Sequence, residues 1–306
     1  MRHLLIAGLV AGLSASAAAA QDDQVVTIDT ATGPVELTAA PEKVVVFDAP
    51  AADTITALGQ PIAGLPAPLY IEGIDEAQPD AQTVGTLFEP DYEALAVLQP
   101  DLIVAGGRSS AVVDGLSRIA TTIDMTNEGR DMVAETRETV ISYGTLFGME
   151  AEAEELAAEL DEKVTAVRAA AETQGDALVI LTNGGKISAF GADSRFGWLH
   201  GALGMPEAHP GLEADRHGQA ISFEFIAEAD PDWIFVIDRG AAIQADGEAA
   251  RATLDNQIVA STRAAQNDHI VYLSPGPMYI SGGGASSLIQ TLDEVLAAFE
   301  TSASES

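Results

Sequence analysis

One spacing in this chain occurs twice and ties two distant stretches to a single plan. In EALAVLQPDLIVAGGR, Glu93 precedes Pro100-Asp101 by seven positions and Arg108 follows the proline by eight; in EFIAEADPDWIFVIDR, Glu224, Pro231-Asp232 and Arg239 keep the same intervals. Each copy predicts a short helix, a Pro-Asp turn that ends it, a buried strand (Leu102 to Ala105; Trp233 to Ile237) and an arginine where the strand exits. Duplicated helix-to-strand units call for two similar α/β lobes. Ligands of open α/β sheets gather beyond the carboxyl ends of the strands, so arginines at equivalent exits suggest an anion held between the lobes. The plainer alternative is coincidence, because Pro-Asp before a strand is a common helix-to-strand junction.

The first twenty residues carry one basic side chain, Arg2, then an apolar stretch from Leu4 to Leu13, then Ala18-Ala19-Ala20. That pattern predicts a cleavable secretory signal over residues 1–20, too short in its apolar part to span a bilayer, with Gln21 as the first residue of the exported chain. No later apolar run is long enough to cross a membrane. The absence of cysteine removes any disulfide framework, thiolate metal site or lipid acceptor at the processed terminus, so a free periplasmic protein is expected. A chain of 306 residues exceeds the usual single core, which favours two domains. With 47 acidic against 14 basic residues, nucleic acid and anionic membrane surfaces are poor partners. Against that background, arginines at strand exits stand out.

Along the chain, Gln24 to Leu37 predicts a hairpin and Lys43 to Phe47 a buried strand, followed by a helix from about Ala51 that stops at Gly59. A long helical region runs from about Met132 to Thr173 with a break at Gly148-Met149. The expected organisation is a first lobe over 21–145, a single rigid connecting helix over 146–173 and a second lobe over 174–306. Strands alternate with helices in both lobes, so the fold class is α/β: two Rossmann-like lobes with largely parallel sheets.

Three further side chains could carry chemistry. Arg195 precedes a predicted helix start, where a cation opposes the helix dipole and an incoming anion would relieve it; pairing with Asp193 is the structural alternative. His217 and Tyr279 sit in turn-rich loops, where packing or exposure is the default role. Together a phenolate oxygen and an imidazole nitrogen suit Fe(III), and three guanidinium groups suit a flat, oxygen-rich anion. His200, His209 and His269 lack such company and are expected at the surface. Ser281-Gly282-Gly283-Gly284 lacks the lysine of a phosphate loop and reads as a flexible connection that lets Tyr279 approach the cleft.

The segments PEKVVVFD, EPDYEALAVLQPDLIVAGGR, GADSRFGWLHGALGM, HGQAISFEFIAEADPDWIFVIDR and YISGGGASSL together resemble periplasmic substrate-binding proteins of ABC importers, in the class whose lobes are joined by one long helix (class III). Within it the resemblance is to iron-siderophore binders of the catecholate type, the petrobactin and enterobactin binders, over essentially the whole exported chain. The resemblance implies that Arg108, Arg195 and Arg239 bind the anionic ferric catecholate, and that His217 and Tyr279 complete the iron shell where the siderophore supplies too few oxygens. It implies that Glu93 and Glu224 dock onto arginines of the membrane permease. It also implies a monomer without intrinsic cofactor, whose cargo is an Fe(III)-siderophore and whose partners are an ABC permease and its ATPase subunit. The loop from Glu207 to Arg216 and the acidity have no counterpart in the resemblance. Haem or a corrinoid in the same architecture, direct capture of Zn(II) or Mn(II), and a periplasmic enzyme using His217 as base and Arg108 as oxyanion clamp are the alternatives.

Overall fold

The computed structural model describes residues 24–127, 129, 131–215, 217–247 and 249–305; the expected signal segment and its cleavage point lie outside the described residues. A two-stranded antiparallel hairpin opens the chain, β1 (Val25–Thr30) against β2 (Gly33–Thr38), turning at Gly33 with φ of 106°. The first lobe follows around a sheet of β3 (Val44–Val46), β4 (Gly64–Leu65), β5 (Gln82–Thr83), β6 (Leu102–Ala105) and β7 (Thr121–Asp124). Their order in space is β5-β4-β3-β6-β7, and every pairing is parallel. The chain moves outward to one side from β3 and then returns to the other side at β6. The switch point therefore lies between β3 and β6, the place where such sheets open a crevice.

The second lobe contains β8 (Ala177–Asn183), β9 (Lys186–Phe190), β10 (Gln219–Ile221), β11 (Trp233–Asp238) and β12 (Ile270–Tyr272), in the order β10-β9-β8-β11-β12. Here β8, β11 and β12 are parallel, while β9 and β10 add an antiparallel edge through the tight Asn183–Lys186 return. Both sheets are covered on two faces, so their central strands are continuously apolar: Val44 to Val46, Leu102 to Ala105 and Trp233 to Ile237 are all buried.

The duplicated sequence units occupy equivalent places. The helix Tyr92–Leu98 feeds β6 and the helix Phe223–Ala229 feeds β11, each next to the switch point of its sheet. Both helices end on a left-handed residue, Gln99 at φ 52° and Asp230 at φ 40°, because the following proline disfavours continued helical backbone. The aspartate after each proline does one job twice. Asp101 accepts hydrogen bonds from Glu42 N (3.1 Å) and Lys43 N (2.8 Å) at the start of β3, and Asp232 accepts from Asp176 N (3.1 Å) at the start of β8. Each carboxylate thus fixes the register of its strand against the parallel neighbour.

The helix Met132–Phe147 packs Val140, Tyr143, Leu146 and Phe147 into the first lobe's core, and after Gly148, at φ of 67°, a second helix, Glu150–Ala171, leads to the other lobe. The second helix belongs to two cores in succession. Ala153 and Ala157 pack into the first lobe's core, whereas Leu160, Val164, Val167 and Ala171 pack into that of the second. The last helix, Ala285–Glu305, packs along it and starts against the first lobe. There Thr54 Oγ1 accepts from Ala285 N (3.0 Å), and buried Asp53 accepts from Ser287 N (3.1 Å) and Ser287 Oγ (3.0 Å). A Cβ on Gly284 would lie 2.4 Å from Asp53 Oδ2. The glycine run is consequently a close-fitted joint and not the flexible connection expected from its composition: only glycine admits the Asp53 carboxyl at that distance.

Burial pushes the Asp53 carboxyl up to about 6 from an ordinary 3.8, against hydrogen bonds from Ser287 and Ser286 that pull it down. Between those values the folded chain holds a proton that the unfolded chain has lost, so this group's contribution to stability falls as pH rises from about 4 to about 6 and stays low above. The expected size is about 2–3 kcal/mol at most, at about 1.4 kcal/mol per unit. Asp53→Asn keeps an acceptor for Ser287 and should gain on the wild type between about pH 4 and 6 in thermal unfolding, then hold that gain at higher pH. Parallel melting curves across that range would contradict the assignment.

Candidate functional site

The switch point of the first sheet carries Asp48 and Arg108. Asp48 ends the run that begins with β3 and caps the helix Ala49–Ala57, its Oδ2 accepting from Ala51 N at 3.0 Å. Gly106 and Gly107 bring the chain leaving β6 so close that a Cβ on either would lie 3.3 Å from the Asp48 carboxyl. Arg108 follows directly and reaches across to the second lobe, donating from Nη1 to Ile280 O (2.9 Å) and from Nη2 to Tyr279 O (2.7 Å).

The matching switch point of the second sheet carries Asn183 at the end of β8 and Arg239 after β11. Arg239 donates to Asn183 Oδ1 (3.2 Å) and from Nε to the Tyr279 phenol oxygen (3.0 Å). Arg195 arrives from the turn before the helix Trp198–Leu203 and donates to Tyr279 O at 2.9 Å. Its guanidinium lies 4.7 Å from the Tyr279 ring centre and 4.6 Å from that of Phe196; those of Arg108 and Arg239 stand 5.5 Å and 5.9 Å from the tyrosine ring. Three arginines, remote in sequence, therefore surround one half-buried tyrosine. Tyr279 itself is held in a single π-helical turn, Gly276–Ile280, a geometry that recurs at functional sites.

Electrostatics follow from that placement. Burial pushes the Tyr279 phenol up, but the Arg239 hydrogen bond and the charges of Arg239 and Arg195 outweigh it and hold the group below its ordinary value. Asp48 goes the other way: burial pushes its carboxyl up to about 6, the Ala51 hydrogen bond and Arg108 oppose this, and Asp124 adds to it. Arg108, Arg195, Tyr279 and Asp48 line one cleft of about 730 Å³ between the lobes, with Thr126 and Asn127 on one wall and Asp193 and Asp215 on the other. Arg239 joins this group through the phenol. The arrangement offers cationic donors and an easily ionised phenol to an anionic, oxygen-rich guest.

His217 is placed differently. It is exposed, its N–H donates to Asp215 Oδ1 at 2.6 Å, and it does not line the cleft, although its loop supplies Ala214 and Asp215 to the rim. Two other histidines depart from the surface positions expected for them. His200 is buried in the helix Trp198–Leu203, where desolvation lowers its basicity, and His269 stacks on Trp233 at 3.9 Å with its ring nitrogens at Asp232 O and Ser302 Oγ. Only His209 is exposed as expected. Among the described residues, no group of three or more His, Asp or Glu converges in a way that could hold a bare metal ion. Asp48 was not singled out by sequence reasoning. Its signal, an aspartate ending an apolar strand before Ala-Pro, reads equally as an ordinary helix cap.

Glu93 and Glu224 are both exposed, each in the first turn of its helix, where a carboxylate complements the helix dipole. The Glu224 backbone N–H and the Ser222 hydroxyl hold that carboxyl below its ordinary value. Neither touches the cleft.

Comparison with known proteins agrees with this architecture. Residues 44–276 match the periplasmic binding protein family. The petrobactin-binding protein YclQ of Bacillus subtilis is 36% identical over 259 residues, covering 83% of this chain and 81% of its own length. The ferric-anguibactin-binding protein FatB of Vibrio anguillarum is 30% identical over 269 residues, 85% of this chain and 83% of that one. The crystal structure of the periplasmic catecholate-siderophore binding protein VctP from Vibrio cholerae superposes with a TM-score of 0.82 at 30% identity, over 90% of this chain and 100% of its own. No helix among the described residues is long and apolar enough to cross a membrane. With a matching segment that takes in both switch points and three of the four arginine and tyrosine positions in full, and with relatives aligned over most of their length, this chain belongs to the periplasmic binding protein family.

Proposed function

We propose that this protein captures a ferric siderophore, of catecholate or mixed-catecholate type, and delivers it to an ABC importer. The single observation that carries the reading is the convergence of Arg108, Arg195 and Arg239 on Tyr279 inside the inter-lobe cleft. Iron arrives as cargo already wrapped in oxygen donors, and the guanidinium groups offset the negative charge of the complex in a partly dry site, where charge-assisted bonds are strong. The relatives' names, which specify petrobactin, ferric anguibactin and catecholate siderophores, support the same cargo class. Haem would call for one axial donor and gives no role to three arginines.

Tyr279 is the protein's own oxygen donor for an iron whose siderophore leaves sites vacant. Its phenol accepts from Arg239, so its proton is free to leave as the hard Fe(III) centre approaches. His217 sits at the rim and joins the iron shell only if its loop folds over the cargo. Glu93 and Glu224 face outward, one per lobe, as the contacts to basic side chains of the permease; ATP hydrolysis by the importer then drives release. The protein is a monomer without resident cofactor, catalyses no reaction, and is freed into the periplasm by cleavage after Ala20 with no lipid anchor.

The test uses two ferric complexes that differ only in denticity. Tyr279→Phe should weaken a tetradentate catecholate complex by about tenfold or more while leaving a saturated hexadentate one nearly unchanged. The charge-transfer band of the tetradentate complex should shift with the same substitution, and His217→Ala measured alongside reports whether the imidazole takes part. Equal losses for both complexes would contradict direct ligation by the phenol.

A further inference from the structure

Four large apolar side chains are conspicuously exposed among the described residues, and three lie within ten positions of one another: Phe88 at 65%, Tyr92 at 41% and Val97 at 82% exposure. They flank Glu93 in the chain. The exposure of Phe88 is not that of a loose loop, because the turn displaying it is tightly built. Gly85 pairs with Pro90 across the loop, Thr86 N donates to Glu89 O at 2.9 Å, and the Thr86 hydroxyl accepts from Phe88 N (3.3 Å) and Glu89 N (3.0 Å). Gly85 has φ of 98°, and a Cβ there would lie 2.4 Å from Glu89 O, so the turn requires glycine. Val97 projects from the outer side of the helix Tyr92–Leu98, whose Leu95 is buried.

The duplicated plan supplies an internal control. Five positions before the repeated spacing's glutamate stands Phe88 in the first copy and Gln219 in the second; four positions after it stands Val97 in the first and Glu228 in the second. One position before it, Tyr92 is exposed, while its counterpart Phe223 packs against the second lobe's core. The two lobes thus present the same glutamate in opposite settings, one apolar and one polar.

We infer that the Phe88, Tyr92 and Val97 face is the apolar anchor by which the first lobe seats on the permease, and that it determines which lobe meets which half of that partner. This rests on the docking roles proposed for Glu93 and Glu224. Two outward glutamates on pseudo-equivalent lobes would allow the molecule to dock in either of two orientations; an apolar anchor on one lobe alone permits one. The chemistry of the partner follows from the charged neighbours. Exposed Glu89, Asp91 and Glu93 alternate with these side chains along the chain, so the receiving surface is an apolar depression edged by arginine or lysine. The same carboxylates repel an anionic bilayer and a second copy of this face. A rigidly displayed aromatic side chain loses little freedom on docking, which suits an anchor.

The experiment reads docking of the purified, full-length chain to nanodiscs holding the host's permease and ATPase complex, with empty anionic nanodiscs as reference. Phe88→Ser/Val97→Ser should weaken docking by about tenfold or more, as expected for central apolar contacts, while Glu228→Ser changes it by less than about twofold. Affinity for ferric enterobactin and the melting temperature should remain those of the wild type, since both side chains are exposed and neither lines the cleft. If the double variant docks like the wild type while Glu93→Gln docks poorly, the anchor is wrong and the glutamate reading survives. If neither substitution matters, both fail. Loss of binding to the empty nanodiscs in step with the permease, or a dimer of the wild type that the double variant abolishes in sedimentation, would also overturn the inference.

Discussion

Arg108→Ala is expected to weaken ferric-catecholate binding by about 1.5–3 kcal/mol, roughly ten- to 150-fold, the range for a hydrogen bond to a charged group. The side chain leaves the first lobe beside the buried Asp48 and ends on two carbonyls of the second, Tyr279 O and Ile280 O. Its loss removes a cation from the cleft and takes away the Arg108 charge that offsets the Asp48 carboxyl. Both changes disfavour an anionic guest. Arg108→Lys should fall between wild type and alanine, because an ammonium keeps the charge but cannot reproduce the planar fork that spans two acceptors. Tryptophan fluorescence titration with ferric enterobactin measures all three proteins, and an alanine variant that binds as tightly as the wild type would remove Arg108 from the site.

Gly284→Ala should destabilise the folded chain by about 1–3 kcal/mol, the usual cost of forcing a methyl group into a closed space. The added Cβ would meet Asp53 Oδ2 at 2.4 Å and Asp53 Cβ at 2.7 Å. Asp53 cannot swing aside without abandoning Ser287, whose hydroxyl also contacts Ser281 Oγ at 2.6 Å. The strain therefore falls on the joint between the helix Ala49–Ala57 and the start of Ala285–Glu305. Asp53→Ala should itself destabilise by loss of a buried acceptor, yet it removes the carboxyl that the added methyl meets, leaving only the Cβ at 2.7 Å in its way. The double variant should be more stable than the sum of the two single losses, by about 1 kcal/mol or more in a denaturant-based cycle. Strict additivity would mean that the two residues do not press on one another.

What the sequence discloses depends on whether a feature leaves a periodic or positional trace. The two Pro-Asp junctions do, because a proline, a following apolar run and a register-fixing carboxylate recur in order; the structure places Asp101 and Asp232 in the same role at equivalent strands. The alternation of helix and strand, the opening hairpin and the break at Gly148 were legible for similar reasons. Other features leave no trace. The arginines meet Tyr279 largely through main-chain carbonyls, and a backbone acceptor has no letter in a sequence. Gly284 looks like flexibility because composition cannot tell a loose glycine from one that makes room for Asp53. His200 looks exposed because its burial depends on the packing of the helix Trp198–Leu203 and not on its neighbours in the chain. The position of His217 depends on how a loop of polar and small residues lies across a rim, which apolar periodicity does not encode.

The helix Glu150–Ala171 has a consequence for how the protein comes apart. Its first turns are embedded among side chains of one lobe and its later turns among those of the other, with Leu156 touching both clusters. No segment of it is left as a free tether. Melting either lobe would strip half of a continuous hydrogen-bonded rod of its packing, so the two halves should lose structure together as one cooperative unit. A chain severed within this helix would yield fragments with unmatched apolar stripes, prone to associate with each other or to aggregate.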